Sequence, residues 1–193
     1  MLKKGILFIL IGFSTCRAMA QQETDNVKFP DYQRLSVGYI FGGQIYNETF
    51  SYTPGIDIKG TYGIRLSKRV GAGLGIGYYQ LPHERFIPIG LEVSGNTDKG
   101  ENTAVLSMQL GYAHGWYKGN NNIVGFDFQG GLHFAIEYTM QRKINEALSV
   151  QFNVAYRHQF AKMEFETYTS TNYSQMANYD MLVLSLGLSR NAH

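Results

Sequence analysis

The sequence predicts an all-β chain, an eight-stranded antiparallel up-and-down transmembrane β-barrel, and three observations predict it. Side-chain polarity alternates with period two in segment after segment. After residue 20, no segment holds enough consecutive apolar residues for a membrane-crossing helix, which needs roughly 20. The composition, 14 Tyr, 12 Phe and 22 Gly against 4 Pro and a single Trp, suits strands and tight turns rather than a helical bundle.

Taken in order, Leu35, Val37, Tyr39 and Phe41 mark a first strand near 33–43. In the second, 54–67, Ile56, Ile58, Tyr62, Ile64 and Leu66 alternate with Asp57, Lys59, Thr61, Gly63, Arg65 and Ser67. After the two-residue turn Lys68-Arg69, a third strand over 70–81 sets Val70, Ala72, Leu74, Ile76 and Tyr78 against Gly71, Gly73, Gly75 and Gly77. The fourth, 84–94, carries Ile87, Ile89, Leu91 and Val93, and the fifth, 103–117, carries Ala104, Leu106, Met108, Leu110 and Tyr112.

The longest alternation runs over 123–141. Val124, Phe126, Phe128, Leu132, Phe134, Ile136, Tyr138 and Met140 fall on one face, and Asp127, Gln129, Gly131, His133, Ala135, Glu137 and Thr139 on the other. A helix would scatter both sets around its circumference, so this reads as one strand. Strands at 147–162 and 178–190 complete the eight, the last marked by Leu182, Leu184, Leu186 and Leu188.

An even count returns both ends of the barrel to one side. Lys68-Arg69, the polar run 95–102 and the stretch 142–146 then connect strands on the side of the termini. The segments 44–53, 82–83, 118–122 and 164–177 lie on the other.

Alternation alone does not say which face meets a core. The face opposite the apolar one is largely Gly, Ala, Ser and Thr, too small and too weakly charged for a water-exposed exterior, so it belongs inside the barrel and the apolar face in lipid. Its charges Lys59, Arg65, Glu92, Glu137 and Arg157 sum to +1 and should pair across the lumen as an interior polar network. A lumen filled in this way argues against a pore. Tyr39, Phe41, Tyr78, Tyr112, Trp116, Tyr138 and Tyr156 are expected as interfacial girdles.

Residues 1–20 read as a cleavable export signal, with Lys3 and Lys4, an apolar run over 5–13, and Ala18-Met19-Ala20 before Gln21, which leaves one domain over 21–193. The single cysteine, Cys16, lies inside that signal, so a lipid anchor there is the second reading, and Phe13-Ser14-Thr15 makes a poor lipobox. Lys3, Lys4 and Arg17 are three of the 17 basic residues and no acidic one precedes residue 21, so the remainder balances to −1, 14 against 15. No basic surface for nucleic acid is expected.

The signal, the eight strands and local stretches such as Arg85-Phe86-Ile87-Pro88-Ile89-Gly90-Leu91 and Ile144-Asn145-Glu146-Ala147-Leu148-Ser149-Val150 resemble the small, porin-like outer-membrane β-barrel proteins of Bacteroidota, which are Gram-negative. The resemblance spans nearly the whole mature chain. It implies the outer membrane, with both termini periplasmic, and outer-membrane lipid as the surroundings of a monomer. The chain departs from such barrels in ending Leu188-Ser189-Arg190-Asn191-Ala192-His193 rather than on an aromatic residue.

Sequence patterns for catalysis are weak. Tyr156-Arg157-His158-Gln159-Phe160 resembles the His-x-Ser-Asn stretch of lipid A deacylases, but Gln159-Phe160-Ala161 stands where serine and asparagine would be. His83, His114, His133, His158 and His193 have no partner at metal-ligand spacing, and His133 is expected as a hydrogen-bonded interior residue. The run Gly71 to Gly77 lacks the dinucleotide fingerprint, with Ile76 at its sixth position. No catalytic residue and no cofactor is therefore expected. The leading expectation is a structural or surface-binding role, with loops 44–53 and 164–177 offering Tyr46, Phe50, Tyr52, Tyr168 and Tyr173 to a partner. A lipid A-modifying enzyme or a small pore is the alternative.

Overall fold

Ten strands account for nearly all of the structure, a computed structural model that describes residues 30–46, 49–97, 102–119, 125–166 and 172–191. The export signal, Cys16 and His193 lie outside the described residues. The strands are β1 (Asp31–Tyr46), β2 (Thr49–Tyr52), β3 (Gly55–Arg65), β4 (Val70–Gln80), β5 (Glu84–Thr97), β6 (Asn102–Tyr117), β7 (Asp127–Gln129), β8 (Leu132–Lys143), β9 (Leu148–Glu166) and β10 (Asn172–Asn191).

Eight of them, β1, β3, β4, β5, β6, β8, β9 and β10, pair in that order, all antiparallel. β10 pairs with β9 and with β1, for instance Leu184 with Val154 and Leu188 with Leu35, so the sheet closes on itself. The predicted barrel is the observed one. Closure removes every sheet edge along the staves.

β1 begins and β10 ends on one rim, here the terminal rim, together with the Lys68-Arg69 and Ile144–Ala147 turns. Ser67 fixes the first of these: its N–H donates to the Val70 carbonyl (3.1 Å), and its hydroxyl accepts from the Val70 amide (3.1 Å). At the second, the Asn145 side chain accepts from the amides of Ala147 (3.0 Å) and Leu148 (2.8 Å). The opposite rim is the distal one.

Neighbours in sequence show how the wall is oriented. Leu91 is 70% exposed on the outside and Glu92 is 1% exposed on the inside. The glycines of β4 make room for inward side chains of other strands: a Cβ at Gly73 would lie 3.0 Å from the Tyr32 hydroxyl, and one at Gly75 would lie 2.5 Å from the Gln109 amide. The glycine run is a steric response to a full lumen.

Two segments differ from expectation. The first is 123–141, which is not one strand. β7 and β8 both pair with β9, but His133 faces Gln159 whereas Gln129 faces Lys162, so four residues on one side span three on the other. This one-residue bulge at Gly130-Gly131 reverses the face, because side-chain direction has period two. Phe128 therefore points into the barrel and is buried, while Phe134 and Ile136 point out. Glycine is required at 130, where a Cβ would run into the Ala113 carbonyl.

The second is the pair of presumptive loops, which carry strands instead. β1 turns back into β2, with Ile45 facing Phe50, and β9 and β10 stay paired as far as Glu166 and Asn172. Backbone groups that stand beyond the barrel satisfy one another by pairing.

Candidate functional site

The lumen is filled, and its two halves are filled differently. Toward the terminal rim lies a chain of buried charges. Arg34 from β1 pairs with Glu92 from β5, and Lys59 from β3 lies 3.1 Å from both Glu92 Oε2 and Glu137 Oε2. Thr61 and Thr139 hydroxyls add 3.4 Å contacts to Glu92 and Glu137. Beside this chain, Arg157 Nη1 donates to Asp57 Oδ1 at 2.7 Å.

Of the five predicted network residues, the structure joins Lys59, Glu92 and Glu137 and places Arg157 in a separate pair. Arg65 stands apart at the terminal mouth, beside Asn96, whose amide, turned to satisfy its neighbours, accepts from Arg65 Nη1 at 2.7 Å. Sequence reasoning passed over Arg34 and Asp57, although both share inward parity with residues it did select. With them the set is balanced: Arg34, Lys59 and Arg157 against Asp57, Glu92 and Glu137. Neutrality matters because an uncompensated buried charge costs several kcal/mol, of order 3 to 5 when one partner is removed.

Toward the distal rim the lumen is an aromatic and aliphatic core. Tyr79 stacks on Phe86 at 4.8 Å between ring centres, and Tyr179 and Phe128 meet the Phe86 ring edge-on at 5.7 and 5.6 Å. Ile40, Leu81 and Met181 close around them. Both phenols of this core have an acceptor: Tyr79 donates to Gln159 Oε1 (2.8 Å) and Tyr179 to Glu84 Oε1 (3.3 Å). Arg157 is the seam between the halves, its guanidinium 4.8 Å from the centre of the Tyr79 ring.

His133 is buried, as expected, but neither ring nitrogen has a hydrogen-bond partner among the described residues. It faces Gly111, where a Cβ would lie 2.8 Å from its Cε1, so the ring rests on backbone rather than on polar groups.

On the outer wall, apolar side chains form a continuous belt, and Tyr78, Tyr112 and Tyr156 sit where that belt gives way to Gln80, His114 and His158. One polar cluster interrupts it. Asp180 Oδ1 accepts from the Tyr156 hydroxyl (2.5 Å) and lies 2.7 Å from His158 Nδ1. Phe134 stacks on the imidazole at 5.4 Å, and Phe160 meets it at 4.4 Å. Sequence reasoning weighed His158 as the nearest candidate and set it aside, without noticing Asp180, which lies across the β9–β10 ladder.

At the distal hairpins Phe50, Tyr52 and Tyr173 are more than half exposed, and Phe165 packs against Tyr173 with ring centres 5.5 Å apart. The side chains of Tyr46 and Tyr168 lie outside the described residues.

No family model matches the sequence, and no curated protein is similar to it. Solved structures are similar in fold. The outer membrane protein OprG of Pseudomonas aeruginosa superposes with a TM-score of 0.58 at 10% identity over 86% of this chain and 97% of that one. Neisserial surface protein A gives 0.57 at 11% over 83% and 96%. The outer membrane protein AlkL, solved in lipid bilayers, gives 0.58 at 12% over 88% and 93%. The chain has the fold of small outer-membrane β-barrels.

Proposed function

We propose that this protein resides in the outer membrane as a closed, non-catalytic barrel that presents its two distal hairpins to a surface partner. The apolar belt needs hydrocarbon around it, and a closed barrel leaves no unpaired backbone in that medium. One observation carries the functional reading: both halves of the lumen are blocked, while the hairpins around Phe50, Tyr52 and Tyr173 hold large aromatic surfaces away from the core. Aromatic side chains on a rigid support give contact area at little entropic cost.

Fractionation tests residence: a heat-modifiable band in outer-membrane fractions is expected, and a water-soluble product would overturn it. Deleting 164–177 should abolish surface binding while leaving the gel shift intact. Unchanged binding would overturn the hairpin assignment.

A second reading rests on Asp180, which holds and orients His158 at the edge of the apolar belt, the arrangement of a general base facing lipid. It predicts altered lipid A acyl chains in a strain that produces the protein. Identical lipid A mass spectra with and without expression would remove it.

A further inference from the structure

At the terminal mouth of the lumen, opposite to the hairpins, the wall leaves a small cavity of about 20 Å³, room for roughly one water-sized group. Arg34, Arg65 and Arg69 line it, and among the described residues no carboxylate does. Three of its groups are at least nine-tenths buried and lack partners. The Tyr32 hydroxyl, the Ser189 hydroxyl and the Nε and Nη1 of Arg34 have no hydrogen-bond partner among the described residues.

Burying a donor without an acceptor costs about 1–3 kcal/mol, more when it is charged, so these groups are not neutral packing. The side chains are held in place: Arg34 is ion-paired to Glu92 through Nη2, and its guanidinium lies 5.2 Å from the centre of the Tyr32 ring. Tyr32 in turn fits over Gly63 and Gly73, where any side chain would collide with it. Its position is fixed by the glycines of two other strands.

We infer that this mouth is a binding site for a phosphate group, one oxygen entering the small cavity between Arg34, Tyr32 and Ser189 and the others meeting Arg65 and Arg69. Guanidinium groups match phosphate oxygens in geometry and charge, and two hydroxyl donors complete the set. Glu92 compensates only part of the Arg34 guanidinium, whose Nε and Nη1 are left for a ligand. The site does not depend on the hairpin reading and lies at the other end of the barrel.

The test uses the full chain in zwitterionic nanodiscs, with inorganic phosphate as the probe and chloride at equal ionic strength as the control. Saturable phosphate binding is expected, with affinity about tenfold lower in Arg69→Gln, since a charge-assisted hydrogen bond is worth that much. Arg69 sits in an exposed turn, so its loss should leave the heat-modifiable shift unchanged; Ser189→Ala gives a second, smaller decrease. Nanodiscs doped with an anionic phospholipid separate the sources: competition with inorganic phosphate identifies a headgroup as the ligand, and its absence identifies a soluble phosphate. Binding no stronger than chloride, or equal binding by wild type and Arg69→Gln, overturns the proposal.

Discussion

The two halves of the lumen solve the same problem with opposite chemistry. The distal half is packed like the interior of a water-soluble protein, with Phe86 at the centre of three aromatic contacts. The terminal half has almost no apolar filling and is held by six charges that sum to zero. Both sit inside the same closed wall. The difference teaches that the barrel itself does not dictate its filling. A wall without edges needs only that its interior leave no void and no unpaired charge.

The largest effect should come from breaking the seam. Arg157→Met leaves Asp57 buried and unpaired and should cost roughly 3 to 5 kcal/mol in urea unfolding from lipid vesicles, followed by Trp116 fluorescence. Adding Asp57→Leu should recover most of that loss, because removing both partners removes the stranded charge. A double variant as unstable as the single one would mean that the terminal half depends on these charges for more than mutual compensation.

In the distal half, Phe86→Ala should cost roughly 3 kcal/mol by leaving a cavity among Tyr79, Tyr179 and Phe128. It should nevertheless leave a planar bilayer electrically silent, because Lys59 still bridges Glu92 and Glu137 across the other half. Steady conductance from this substitution alone would show that the aromatic half is the sole seal. The smallest effect is expected outside both halves. Lys162→Ala removes the ion pair with Glu164, whose side chains are about 40% exposed, and should change stability by less than about 1 kcal/mol.

The sequence carries the wall more plainly than the filling, for a physical reason. Outward residues meet one medium, so Leu91, Val93, Leu106, Met108 and Leu110 repeat a single polarity at every second position. Inward residues meet one another, and who meets whom depends on pairing between strands distant in sequence, as Arg157 and Asp57 are. Arg34 and Asp57 were legible by parity, since each alternates with the outward residues of its strand. The distal core was not, because Met181 and Val183 lie inward within a stretch whose outward positions Leu182 and Leu184 are also apolar. The Gly130-Gly131 bulge was also hidden, since two glycines continue a strand pattern as readily as they interrupt it.

Closure through β10 also bears on how the molecule forms. The pairing of Leu35 with Leu188 joins the beginning of the barrel to its end, so the ring exists only after the last strand has been made. Until then β1 presents an open edge and the lipid-facing Leu35, Val37, Tyr39 and Phe41, the combination that invites self-association. With nearly every stabilising pair between separate strands and the closing pair the most distant of all, folding should be slow and all-or-none at the last step. A chain truncated before residue 172 would lose the whole barrel rather than one eighth of it.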